Sequence, residues 1–117
     1  MALKHLFGET TIIKILDFLI DHKGYDYSKT EIAEYSNLGL ENLNRDWNRI
    51  EEWGFVKVSR KVDESPLYKL NEENSIVEKL LEFDTEATVY MSEKIAEYEI
   101  AKEKVQKEEK IKDIITP

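Results

Sequence analysis

A chain of 117 residues and 13.8 kDa has room for one folded domain and at most one appended element. Its composition is 41% hydrophobic and 36% charged with a formal charge of −8, which excludes a disordered chain, a membrane protein and a general coat for nucleic acid. The absence of cysteine excludes disulfides, thiolate zinc sites and cysteine nucleophiles, and fits a reducing compartment. The two histidines, His5 and His22, stand in no ligand spacing. No run approaches a membrane span, and Met1 to Phe7 lacks the features of a secretory leader. The expectation is a soluble, cytoplasmic protein with no metal and no cofactor. Acidity is uneven: residues 1–71 carry 10 bases and 12 acids, whereas residues 72–117 carry 7 bases and 13 acids.

The first expected helix runs from about Thr10 to Lys23 and stops at Gly24, with Ile12, Ile13, Leu16, Leu19 and Ile20 on one face. Phe18 falls off that stripe and is expected to be exposed. Tyr25-Asp26-Tyr27 reads as a brief strand. Ser28-Lys29-Thr30-Glu31 is a capping box, in which the Ser28 hydroxyl accepts from the Glu31 amide and the Glu31 carboxylate reaches back. The short helix behind it carries Ile32, Ala33 and Tyr35. Asn37-Leu38-Gly39 is a turn, with positive φ expected at Asn37.

The next helix, Leu40 to Trp53, ends at Gly54. Leu40, Leu43, Trp47 and Ile50 form its buried face, while Asn42, Asn44, Arg45, Asp46, Asn48 and Arg49 face away. Phe55 to Arg60 reads as a strand, Lys61 to Pro66 as a polar connection, and Leu67 to Leu70 as the returning strand. Asn74 or Ser75 caps a further helix that continues almost to the C-terminus.

Short helix, tight turn, second helix and hairpin, in that order, match a winged helix-turn-helix arrangement. The first helix braces the second, which projects polar side chains into the major groove while the hairpin meets phosphates. Asn pairs with adenine and Arg with guanine in that groove. The candidate DNA-binding residues are therefore Asn42, Asn44, Arg45, Asn48 and Arg49 on the helix, Lys57, Arg60 and Lys61 on the hairpin, and Lys29 at the start of the bracing helix. Glu41, Asp46, Asp63 and Glu64 oppose phosphates in the same region, and Trp47 continues the buried stripe.

Four segments carry a family resemblance: Leu6-Phe7-Gly8, Lys14-Ile15-Leu16-Asp17-Phe18-Leu19, Asp26-Tyr27-Ser28-Lys29-Thr30-Glu31-Ile32-Ala33-Glu34, and Tyr68-Lys69-Leu70-Asn71. Over roughly residues 3–84 the chain resembles small archaeal winged helix-turn-helix transcriptional regulators, related broadly to the MarR and ArsR types. That resemblance implies a DNA-binding regulator, often dimeric.

Beyond the hairpin, Ile76, Val77, Leu80, Leu81 and Phe83 are expected to pack on the domain, and Asp84 or Thr85 could start a new helix after a kink. Two apolar stripes follow. Ala87, Met91, Ile95, Tyr98 and Val105 share one side; Val89, Ala96, Ile100, Ile111 and Ile114 share nearly the opposite one. A helix apolar on two sides needs two things to bury them against. The expected partners are its own domain, including Phe18, and a second copy of the chain, which makes Phe18, Met91, Ile95, Tyr98 and Val105 the candidate dimerisation residues. Glu103–Lys107 and Glu108–Lys112 are favourable i,i+4 pairs.

No nucleophile motif, phosphate loop or metal spacing stands out, and Glu72-Glu73 and Glu108-Glu109 are weak cation candidates at best. A non-enzyme is therefore expected. In sum the fold class is mostly α with a small β-hairpin, a winged helix-turn-helix domain over 1–83 and a C-terminal helical extension over 84–117. The leading functional expectation is a homodimeric, sequence-specific transcriptional regulator that binds double-stranded DNA. The alternative is a winged-helix protein–protein interaction module of a transcription or replication assembly that does not bind DNA.

Overall fold

A computed structural model describes the backbone over residues 2–115 and side chains over residues 2–107. The expectations for Glu108, Glu109, Ile111, Lys112 and Ile114 lie outside the described side chains. The elements in order are α1 (Ala2–Phe7), α2 (Thr11–Asp21), α3 (Lys29–Tyr35), α4 (Leu40–Glu52), β1 (Val56–Val62), β2 (Ser65–Leu70) and α5 (Ser75–Ile115). The chain is thus mostly helical, with a two-stranded antiparallel hairpin and a long C-terminal helix. It divides into two compact units, Met1–Asp84 and Thr85–Pro117.

Within the first unit α2 is the central element, packed against α1, α3, α4 and β2. Thr10 caps it through a bond from the Ile13 amide to Thr10 Oγ1 at 3.3 Å. Six consecutive residues, Ile15 to Ile20, are buried. An amphipathic stripe describes a helix covered on one side; this one is covered nearly all round. That corrects the expectation for Phe18, which is 8% exposed and not available to a partner element. Its neighbour Asp17 is fully buried, and its carboxylate accepts from the Lys4 amide at 3.2 Å. This bond ties α2 to α1, a helix that the periodicity reading did not include.

The capping box of α3 forms with both bonds present: the Glu31 amide to Ser28 Oγ at 3.1 Å and the Ser28 amide to Glu31 Oε1 at 3.0 Å. Asn37 takes φ 57° after α3, and the Leu38 amide donates to the Ala33 carbonyl at 2.8 Å, turning the chain into α4. In α4, Leu43, Trp47 and Ile50 are buried as expected, joined by Asp46. Leu40 is 43% exposed instead, because the stripe runs off the core at the first residue of the helix.

The hairpin is longer than the sequence reading. Val62 pairs with Ser65, so a two-residue turn at Asp63 and Glu64, with φ 50° and 65°, replaces the expected six-residue connection. Positive φ at both positions is the turn geometry that follows the natural twist of a hairpin. The register slips between Val58 and Arg60, leaving a bulge at Ser59. Tyr27 joins β2 by one bridge to Tyr68, with amide-to-carbonyl bonds of 2.9 and 2.8 Å, so the expected strand at Tyr25–Tyr27 is a single bridging residue.

At the other end of the hairpin Asn74 serves two elements. Its Oδ1 accepts from the Ile76 amide at 2.8 Å, capping α5, and its Nδ2 donates to the carbonyls of Trp53 and Gly54 at 2.9 and 3.0 Å. α5 continues through Asp84 and Thr85 as one helix without the expected break. Among the described residues its ion pairs are Lys79–Glu82 and Lys94–Glu97, one turn apart; the expected Glu103–Lys107 pair does not form. No helix among the described residues is long and apolar enough to cross a membrane.

Candidate functional site

The polar face of α4 and the adjoining hairpin carry most of the residues singled out in the sequence. α3 packs against α4, and α4 against β1, so these elements form one continuous support. Beneath them lies Trp47, buried among Ile32, Leu43, Ile50 and Leu70 in the core and set edge-on to Tyr68 with ring centroids 5.0 Å apart. The Trp47 indole N–H donates to Glu51, one turn further along α4. Burial raises the Tyr68 phenol above its ordinary range, and the negative charge of Glu51 adds to the effect.

The structure sorts the candidate contact residues into two groups. Asn42, Asn44, Asn48, Arg49 and Lys61 are exposed and make no side-chain hydrogen bond or ion pair among the described residues. The others are engaged within the chain. Arg45 Nη2 lies 3.3 Å from Asp46 Oδ2 and 3.5 Å from Thr11 Oγ1. Lys57 pairs with Glu73 at 3.4 Å. Lys29 sets its ammonium 5.5 Å from the Trp47 ring centre and 5.9 Å from that of Tyr68, within cation–π range.

Arg60 is the most firmly held. Its Nε and Nη2 donate to the two carboxylate oxygens of Asp26 at 2.9 and 3.4 Å, and the Ser59 hydroxyl donates to the same carboxylate. The bulge at Ser59 is what lets two successive side chains of β1 reach one acceptor, since neighbours in a regular strand point to opposite faces. The Ser59 hydrogen bond, followed by those from Arg60, holds the Asp26 carboxyl below its ordinary value. Asp26 precedes Arg60 by 34 positions and carries no local signal of this contact. Over residues 40–70 six bases face six acids, so the surface has local charges of both signs and no net charge.

Four aromatic rings gather beside the C-terminal end of α2. Phe18 stacks on His22 with centroids 4.3 Å apart and on Tyr35 at 5.9 Å, with Tyr27 edge-on to Phe18 at 5.0 Å. The His22 ring nitrogen Nδ1 sits 2.8 Å from the Phe18 carbonyl oxygen. These four rings line a surface concavity of about 350 Å³. Phe18 and His22, the C-cap of α2, stand four residues apart, and that spacing is the available signal.

In the second unit the described part of α5 exposes Met91 (44%), Ile95 (53%), Tyr98 (70%) and Val105 (53%). Val89 and Ile100 on the other stripe are exposed as well. Among the described residues no three carboxylate or imidazole side chains converge into a metal-binding group. No protein-family model matches the chain, and no curated protein matches it significantly.

Proposed function

We propose that residues 1–83 form a winged helix-turn-helix domain and that the chain is a sequence-specific, DNA-binding transcriptional regulator. In this reading α3 braces α4, α4 enters the major groove, and the β1–β2 hairpin lies along the phosphate backbone. The observation that carries it is the outer face of α4. It presents Asn42, Asn44, Asn48 and Arg49 with their hydrogen-bonding groups unspent, on a helix anchored from below by Trp47.

The chain acts as a homodimer, in which Met91, Ile95, Tyr98 and Val105 of two copies cover one another; this matches the two-fold arrangement of half-sites that such domains bind. The protein is cytoplasmic and catalyses no reaction. Titration of labelled fragments from the source genome tests the DNA reading. Asn48→Ala should cost about 1–3 kcal/mol on a preferred fragment and relax base preference there. Lys61→Ala should weaken all fragments alike and reduce the salt slope by about one unit.

A second reading is favoured by a specific observation. The α4–hairpin surface is neutral overall, and Lys57 and Arg60 are spent on Glu73 and Asp26. A protein partner in a transcription or replication assembly suits such a surface. Failure of every fragment to bind at low salt selects this reading over the first.

A further inference from the structure

Resting on the DNA-binding reading, we infer that α4 selects adenine, through Asn44 and Asn48, and that binding depends only weakly on salt. The inference starts from the direction each side chain takes around the helix. Successive residues advance by about 100°. The buried side is set by Leu43, Asp46, Trp47 and Ile50. The side opposite them holds Glu41, Arg45, Asn48 and Glu52, all exposed. Asn44 lies on one flank of that strip, Arg49 and Asn42 on the other.

That outward strip is rich in acceptors. In the major groove adenine offers an amino donor beside a ring-nitrogen acceptor, and one Asn amide satisfies both at once. Guanine offers two acceptors and is matched by a guanidinium or ammonium instead. The one such group on the strip is Arg45, and it is drawn sideways onto Asp46 at 3.3 Å and Thr11 at 3.5 Å. Glu41 and Glu52 can only accept, so amino groups suit them and guanine edges do not. Asn44 and Asn48 stand one turn apart, about 6 Å along the axis, close to two base-pair steps of about 3.4 Å. The adenines they select therefore fall within two or three base pairs of each other.

The weak salt dependence follows from the count of available anchors. Arg60 is held by Asp26 and Lys57 by Glu73, while Lys29 sits over the Trp47 and Tyr68 rings. Arg49 and Lys61 remain unengaged, with Lys69 half-buried on β2. With about two or three phosphates neutralised per copy, the logarithm of the binding constant falls with a slope of about −2 to −3 per copy against the logarithm of salt.

The test is selection of random-sequence DNA duplexes on the full chain, followed by titration of the selected duplex and a scrambled one at two salt concentrations. The expected motif fixes adenines in each half-site. Asn48→Ala and Asn44→Ala should each weaken the selected duplex about 5- to 150-fold, with the scrambled duplex unaffected. Both positions are exposed, and thermal melts of the variants confirm that they fold. Guanines fixed in place of adenines, with affinity lost on Arg49→Ala and kept on Asn48→Ala, overturn adenine selection and leave DNA binding standing. A slope steeper than about −4 per copy overturns the salt claim. Absence of any binding at low salt overturns the DNA-binding reading itself, and this inference with it.

Discussion

Trp47 shows how a single residue couples core to surface. Its ring fills the space between α4 and β2 while Asn44, Arg45 and Asn48 occupy the other side of the same turns. Trp47→Ala is expected to destabilise the chain by about 3–5 kcal/mol, measured by denaturant unfolding, because the surrounding side chains cannot close the cavity. Asp26 works in the opposite direction, holding a basic side chain back. Its carboxyl lies below its ordinary value of 3.8 in the folded chain, so its contribution to the hairpin is complete above that value. The contribution is lost as pH falls through the lowered value. The Arg60 Nε resonance should follow that titration and lose it in Asp26→Asn. The same substitution releases Arg60, so it should tighten binding to any duplex and add about one unit to the salt slope. An unchanged slope contradicts the assignment of Arg60 as a restrained phosphate contact.

At the scale of elements, the joint between α4, the hairpin and α5 depends on Gly54. Its φ of +69° suits glycine, and a Cβ there would lie 2.8 Å from Asn74 Nδ2. That nitrogen cannot move cheaply, because it already donates to the Trp53 and Gly54 carbonyls while the same side chain caps α5. Gly54→Ala should therefore cost more than about 1 kcal/mol in thermal or denaturant unfolding. Gly24→Ala shares the positive φ but meets no atom within 4 Å, and should cost less. The caps and stops of α3 and α4 were legible because they rest on short-range chemistry: Ser28 with Glu31, Asn37, and Gly54. Features set by tertiary contact were not. Phe18 looked outward on a one-sided helix and is enclosed, together with Asp17, because α2 is surrounded. The hairpin turn was hidden by Asp63 and Glu64, which adopt positive φ without the glycine that usually marks it. The candidate face of α4 was readable from its polar spacing, whereas the clasp that holds Arg60 is a meeting of distant residues.

At the scale of the whole molecule, residues 72–117 carry 13 acids against 7 bases and so most of the net negative charge. Exposed Met91, Ile95, Tyr98 and Val105 leave an apolar stripe for a second copy to cover. Light scattering at micromolar concentration should give about twice 13.8 kDa, and Ile95→Glu should return the chain toward 13.8 kDa. A monomer unaffected by Ile95→Glu removes the dimer. On the proposed reading, α4 and the hairpin are where this protein meets double-stranded DNA. Amide chemical-shift mapping on the labelled chain, titrated with a selected duplex, tests it most directly. Shifts should concentrate at Lys29, along Leu40–Glu52 and along the β1–β2 hairpin, and be weaker in Asn48→Ala. Shifts confined to other elements, or no change at low salt in a folded dimer, would contradict it.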